Sequence, residues 1–384
     1  MKPENALLNN VLAVRKRLGF SQQELASAAG VTRQTISGIE SLQYAPSATV
    51  ALRLARTLGC RVEDLFWLED APSALAATLA GSAAPQEHMR VALAHIGERW
   101  VAHPLLGAEA FRYELVPCDG LARWDAATSS LQISSLDELE NLRKTVVLAG
   151  CTPALSLWAR AAERWYPGLR VQWIFANSTQ ALDYLQRDEV HGAGLHLFDT
   201  TTGEYNVPFV KRRFPDEHII MVNLGMWEEG LLVPAHNPKQ ITGYADLARA
   251  DVRIVNREAG AGCRALLEDG LRQAGIPTAC VRGFAHVVTG HLEVAQAVAQ
   301  GEADAGISIA CIASAFGLDF ISLREVRYDF AIPQRHMALE SVKQLLTSLD
   351  HRWVRSQLAV LGGYNTAHTG EVVAELLPEA QHDT

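Results

Sequence analysis

Two short stretches carry residues suited to holding an anion. In IVNREAGAGCRALLEDGL, Ile254 to Leu271, an apolar run ends at Asn256-Arg257, a loop with two glycines follows, and an amphipathic helix begins. The first N–H groups of a helix lack intrahelical partners and carry partial positive charge. Gly260 and Gly262, with Ala261 between them, let the chain curl so that successive N–H groups aim at one oxyanion. Arg257 and Arg264 add fixed charge and bidentate donors. The second stretch is Cys151-Thr152-Pro153-Ala154, where the Thr152 hydroxyl joins the N–H groups of another helix start. His196, at a strand end, completes or reports the charge. Cys151 and Cys263 hold equivalent places at the two helix starts, where a thiol pKa falls. They read as small residues lending backbone N–H groups, with thiol redox sensing as the alternative. The glycine loop is neither a Walker A sequence, for no Gly-Lys-Ser/Thr follows, nor a dinucleotide fingerprint, for Ala265 stands where the third glycine would be. Plain helix capping needs a loop of this kind too.

These stretches need strands and helices to aim them. KTVVLAG reads as a buried strand turning into the helix CTPALSLWARAAERWYPG, with Pro153 in the first turn. LRVQWIFA is a second strand, NSTQALDYLQRDEV a helix capped by Asn177 or Ser178, and HGAGLHLF a third strand. Such alternation implies a parallel sheet. EHIIMVNLGMWEEGLLVPAHNP supplies crossing strands, YADLARADVRIVNR opens a second α/β series, LDFISLREVRYDFAIP returns the chain, and ALESVKQLLTSL is a final helix. Residues 144–384 therefore read as two α/β lobes.

Residues 1–69 have a different character. Before Val62 eight basic residues face only Glu4, Glu24 and Glu40, in a chain whose formal net charge is -9. That local surplus suits a module facing phosphates. Leu8, Val11, Leu12 and Leu18 give a first helix that Gly19 ends. Ser21 caps QQELASAAG with Glu24 three residues on, a capping box. Gly30 makes the turn, Val31 plugs it, and Thr32 caps RQTISGIE. The exposed residues of that helix are Arg33, Gln34, Thr35 and Ser37; Arg suits guanine O6/N7 and Gln suits adenine N6/N7. Gln22, at the start of the preceding helix, is placed over the DNA backbone. Two such modules should read a near-palindrome, so a homodimer or higher homo-oligomer is expected.

Between these parts, 70–86 is rich in Ala, Ser, Pro and Gly and reads as a linker with one short helix at most. Residues 87–143 alternate like a small antiparallel β segment, a spacer or dimerisation element. His95 and His103 flank one hairpin there but lack a third metal ligand. The six cysteines are scattered without a CxxC pair, which argues against structural zinc and a disulfide framework. No apolar run reaches the eighteen or so residues of a membrane span, and no secretion signal opens the chain, so a cytoplasmic protein is expected, without cofactor or catalytic metal.

The N-terminal spacing resembles the Xre/Cro type of helix-turn-helix across all five helices. The segments AGCTPAL, GAGLHLFD with TGEYN, VNREAGAGCRALLEDGL, GEADAGISI, RYDFAIP and LGGYNTAHTGE resemble, in order, the periplasmic-binding-protein-like domain of bacterial regulators and of some molybdenum-cofactor biosynthesis proteins. The resemblance implies a multidomain chain: an all-α helix-turn-helix bundle, a small β segment, then a two-lobed α/β domain binding a small molecule between its lobes. It implies a one-component transcription regulator, not an enzyme. Its ligand would be molybdate, tungstate, a molybdenum-cofactor-related compound or a small organic acid.

Overall fold

The computed structural model describes residues 7–68, 74–81, 89–106, 116–125 and 130–378, which fall into two compact units, Met1–Ser73 and Ala74–Thr384. In the first, strand β1 (Leu7–Asn9) leads into helices α1 (Val11–Arg17), α2 (Gln22–Ala29), α3 (Arg33–Glu40), α4 (Ala48–Leu58) and α5 (Val62–Leu65), and β2 (Phe66–Leu68) pairs antiparallel with β1. The capping box is reciprocal: Glu24 N–H donates to Ser21 Oγ at 3.1 Å and Ser21 N–H to Glu24 Oε2 at 2.7 Å. Gly30 ends α2 at φ 66°, a left-handed conformation that glycine adopts without a Cβ penalty. Thr32 Oγ1 then caps α3 by accepting from Thr35 N–H at 3.1 Å. Val11, Leu25, Ile36, Ile39, Leu54 and Leu65 close the core. Leu8 lies in β1 and not in the first helix, because residues 66–68 offer it a strand partner. Leu12 and Leu18 are exposed, since α1 turns Val11 and Val14 to the core instead.

The second unit opens with a closed five-stranded barrel of β3 (Ala74–Leu79), β4 (Met89–Ile96), β5 (Arg99–Pro104), β6 (Gly120–Asp125) and β7 (Ser130–Ser135), in the order β3-β5-β4-β6-β7. This corrects the linker reading of 70–86 over β3. Leu75, Ala77 and Leu79 form a period-two stripe against Leu131 and Ile133, disguised in the sequence by small residues. The barrel is also not wholly antiparallel, because β3 runs parallel to β5. The strand read over FRYELV lies largely outside the described residues. Ala80, Ala94, Ile96 and Val101 share a core with Val147, Ala149 and Ala193 of the next domain, so the barrel is packed onto that domain as a solid part of it.

After α6 (Leu139–Leu142) come β8 (Thr145–Gly150), α7 (Ala154–Trp165), β9 (Arg170–Phe175), α8 (Ser178–Gln186), β10 (Gly192–Leu195), the short pair β11 (Phe198–Asp199) and β12 (Glu204–Tyr205), α9 (Val207–Arg213) and β13 (Ile219–Val233). The second half holds β14 (Ile254–Arg257), α10 (Gly262–Gln273), β15 (Val287–Val288), α11 (His291–Ala299), β16 (Ala305–Ile309), α12 (Ala310–Phe316) and β17 (Asp319–Pro333). Past the expected final helix, α13 (Glu340–Thr347), the chain adds α14 (Arg352–Val360), β18 (Tyr364–Asn365) and β19 (Val372–Leu376). One ten-stranded sheet runs β15-β14-β16-β13-β17-β10-β8-β9, with β18 and β19 on β13.

Two strands make this one sheet serve two lobes. β13 and β17 are fifteen residues each, about 50 Å at the usual strand rise. The first half of β13 pairs with the last half of β17 in one lobe, and the reverse in the other. Register shifts at Asn223/Gly225 and Glu229/Gly230 bracket the crossing. Leu195 at the end of β10 sits opposite Asp329, and Ile309 at the end of β16 opposite Glu229. Strand ends of both lobes therefore meet at the crossing, where open α/β sheets bind ligands.

Candidate functional site

A cluster of buried polar side chains fills the space between the lobes. Cys151, just past β8, lies with Sγ 3.1 Å from His196 Nε2, just past β10. The other imidazole nitrogen, His196 Nδ1, is 2.6 Å from Glu229 Oε1 on the crossing strand. Glu229 also accepts from Trp227 Nε1 at 3.3 Å. From the second lobe, Arg257 donates through Nε and Nη2 to Glu258 at 2.8 and 2.9 Å. Its Nη1 lies 3.1 Å from His291 Nδ1, which is 2.9 Å from Ser308 Oγ. Above Cys151, the Thr152 and Tyr364 hydroxyls are 2.7 Å apart. Tyr328 reaches in from β17 against Gly194, where a Cβ would fall 2.0 Å from its hydroxyl. Gly262 is required in the same way, because a Cβ there would come within 2.5 Å of His196 Nδ1.

Charge in the cluster follows from these partners. Burial works against a charged His196, but Cys151 and Glu229 outweigh it and raise the imidazole to about 10. Burial, then the neighbouring Arg257 and His196, holds His291 well below its ordinary value. His291 is therefore neutral. A guanidinium can only donate, so His291 Nδ1 accepts from Arg257 and its proton sits on Nε2. That Nε2 is buried without a hydrogen-bond partner among the described residues. Burial pushes the Cys263 thiol well up, which corrects the expectation that its helix start would activate it.

The structure brings Cys151, Thr152, His196, Arg257 and Cys263 to the cleft as the sequence suggested, all of them buried. The glycine loop works differently. The Ala259 carbonyl accepts from Asn177 Nδ2 at 3.1 Å and the Gly260 carbonyl from Thr179 Oγ1 at 3.4 Å, so this loop clasps the first lobe, with Ala261 buried behind it. Arg264 is drawn aside: four residues along its own helix Glu268 accepts from Nε at 2.8 Å, and Nη1 goes to the Arg257 carbonyl at 3.2 Å. It lines an opening at the cleft rim, away from the buried cluster. Glu229, His291, Ser308, Tyr328 and Tyr364 were missed. One signal was available for Glu229. In a strand the two side chains of Glu228-Glu229 point to opposite faces, so one carboxylate in that apolar run had to be buried.

Cys151, His196 and His291 offer ligand atoms all within 4.8 Å of one another, a soft donor set that the sequence did not disclose. A metal on His291 Nε2 would force its proton to Nδ1, against the Arg257 guanidinium, which disfavours that use. Cys151, His196 and Glu229 are also ordered as nucleophile, base and orienting carboxylate.

In the first unit, Thr32, Arg33, Gln34 and Ser37 are exposed and Thr35 half-buried along one side of α3. Arg15 and Gln22 are not on that surface. Arg15 is buried with Nε 2.5 Å from Glu40 Oε1, and Gln22 Nε2 donates to Glu40 Oε2 at 2.9 Å. One Gln22 N–H is thus held by a carboxylate, and the second remains uncommitted.

Comparison with known proteins agrees with both halves. Residues 11–65 match the family model described as Helix-turn-helix, and residues 159–350 the model described as PBP superfamily domain. The chain is 41% identical over 182 residues to the "Uncharacterized protein YvgK" of Bacillus subtilis, covering 47% of this chain and 58% of that one. It thus spans less than two thirds of that relative's length. It is 44% identical over 62 residues to the "Uncharacterized HTH-type transcriptional regulator YgzD" of Bacillus subtilis, covering 16% of this chain and 94% of that one. A phosphate-bound "Putative Phosphate ABC Transporter Substrate-Binding Protein" from Clostridium perfringens aligns with 57% of this chain and 98% of its own, at 13% identity and a TM-score of 0.45. The chain belongs to the PBP superfamily domain family, with a helix-turn-helix domain at its N-terminal side.

Proposed function

We propose that the protein is a one-component transcription regulator. Residues 1–69 bind operator DNA as part of a homodimer, and the two-lobed domain senses a small oxyanion, with molybdate and tungstate the first to try. A DNA target implies a cytoplasmic location. The anion reading is carried by the His291 Nε2–H, a buried donor without a partner among the described residues. The same cluster holds the protonated His196, Arg257, the Tyr328 hydroxyl and the Thr152–Tyr364 pair, in which one O–H is spent on the other oxygen. The carboxylates present, Glu229 and Glu258, are engaged by His196 and Arg257. An acceptor-only ligand suits such a cluster. Calorimetry with molybdate, tungstate and sulfate, with and without operator DNA, tests this. Heat from the larger oxyanions and a shift in operator affinity are expected, and coupling must be reciprocal. If none of the three binds wild type, the oxyanion reading fails and a cofactor-derived or organic anion takes its place. If Thr152→Val and Tyr364→Phe bind like wild type, the site is misplaced.

The Cys151–His196–Glu229 array favours a second reading, a thiol sensor in which Cys151 Sγ is addressed by His196 Nε2 at 3.1 Å. Iodoacetamide mapped by peptide mass spectrometry should then label Cys151 ahead of the half-buried Cys60, and His196→Gln should abolish that preference. Equal or slower labelling of Cys151 rejects it. The companion role for Cys263 is dropped, because burial keeps that thiol protonated.

A further inference from the structure

A second cavity lies where the barrel meets the edge of the first lobe, and it has the opposite character. It measures about 450 Å³, within the size range of small-molecule sites. Barrel residues line one side and β9, with the ends of neighbouring helices, the other. Two of its polar side chains are more than nine-tenths buried and have an atom with no hydrogen-bond partner among the described residues: His103 Nε2 and Thr145 Oγ1. Gln172 Oε1, also lining it, is a third buried acceptor without a partner. Arg170 Nη1 is a fourth such atom; leaving such groups dry and unpaired is costly, and natural interiors rarely gather four around one space.

Its charge differs from that of the cleft. Asp119, Glu163 and Glu189 line it, with Arg170 as the cationic residue among them. Arg170 Nη2 is held 2.5 Å from Asp119 Oδ1, and Arg187 Nε 2.8 Å from Glu189 Oε1, so those charges are matched and Glu163 is the carboxylate left over; Arg170 Nη1 is a buried donor without a hydrogen-bond partner among the described residues. Burial lowers His103 to about 4, so it adds no charge near neutral pH. The lining therefore offers the acceptors Gln172 Oε1 and Thr145 Oγ1, one unmatched carboxylate in Glu163 and one N–H donor in Arg170 Nη1, with Phe175, Ile174 and Leu105 as apolar walls.

We propose that this cavity is a second binding site, for a flat, nitrogen-bearing small molecule that is rich in hydrogen-bond donors and neutral or cationic. Its apolar body lies against Phe175, Ile174 and Leu105, and its donors reach Gln172, Thr145 and Glu163. Because barrel and lobe each supply one wall, an occupant fastens the two together. The site does not depend on what the cleft binds.

Three isosteric probes read its charge preference: benzamidine, benzamide and benzoate, added to the full chain and followed by saturation-transfer NMR. Benzamidine should bind best, benzamide next and benzoate least. Gln172→Leu should weaken benzamidine about three- to tenfold, the worth of one hydrogen bond, while Gln172→Glu should tighten it. The glutamate variant reports even if the leucine variant does not fold. Benzoate binding as well as benzamidine, no binding by any probe up to its solubility, or indifference of benzamidine to both substitutions would each overturn the proposal.

Discussion

On the proposed function the recognition helix and the cleft are both surfaces for a charged partner, and they are built on opposite plans. In α3 the residues offered to DNA are neighbours in sequence, exposed, and spared from the core by Ile36 and Ile39. In the cleft the residues come from strand ends and helix starts spread over more than two hundred positions, Cys151 to Tyr364. They are buried and hold one another in place. The first plan separates binding from stability. The second fuses them, since His196, Arg257 and His291 are each also the partner of another buried polar group.

The largest effect expected from that difference is at Arg257. Its side chain is fully buried and neutralises Glu258. Removing one member of a buried pair costs about 3–5 kcal/mol, so Arg257→Ala should lower the unfolding free energy of the second unit by that much, as well as abolishing anion binding. Urea titration followed by tryptophan fluorescence measures it. A stable, well-folded Arg257→Ala that has merely lost its ligand would place the cleft on the same plan as α3.

The pH response should differ next. Residues 1–73 contain no histidine. In the second unit burial lowers His103 to about 4 and His191 to about 3. A histidine whose folded pKa is depressed gives stability that is complete above the unfolded value near 6.5 and is lost as pH falls toward the folded one. His103 alone amounts to roughly 3 kcal/mol by pH 4, at 1.36 kcal/mol per pKa unit. His196 acts in the other direction: its stabilisation is complete below about 6.5 and is lost as pH rises through about 10. Calorimetric scans between pH 6.5 and 5 should therefore shift the melting of the second unit downward and leave the first in place. A first unit that moves as much as the second contradicts this account.

The same contrast governs what could be read from the chain. The helix-turn-helix was legible because its signals are local: a capping box, a glycine turn, an N-cap. The parallel strand–helix alternation was legible for similar reasons, and so were the strand ends that carry Cys151, His196 and Arg257. The partners of those residues were not. Nothing near His196 announces Glu229 or Tyr328, since only the antiparallel register of β13 and β17 brings them there. β3 was hidden for another reason, because alanine fills a barrel stripe as well as it fills a linker.

Arg33→Ala and Gln34→Ala should each cost about 1–3 kcal/mol of discrimination at one base position and leave the melting temperature unchanged, because both side chains are exposed. Competition binding against single-base operator variants reads this out. Loss of affinity spread evenly over all sequences would instead make them phosphate contacts.

The smallest effect belongs to Gln22, which tests where the border between the two plans runs inside the first unit. As a phosphate contact its amide must donate to DNA. In the structure one of its two N–H donors is committed to Glu40 Oε2 at 2.9 Å, beside the Arg15 pair. The same carboxylate accepts from Arg15 Nε and Nη2, so Gln22 ties one amide N–H into a part-buried network and keeps its second N–H and its carbonyl oxygen uncommitted. Gln22→Ala should therefore lower the stability of the first unit by about 0.5–1.5 kcal/mol, one net hydrogen bond. The slope of log affinity against log salt should not change, since no released counterion depended on a neutral side chain. Measured affinity would fall only near the melting temperature, where the unfolded fraction competes. Uniformly weaker operator binding far below that temperature, with stability intact, would return Gln22 to the DNA backbone through its second N–H.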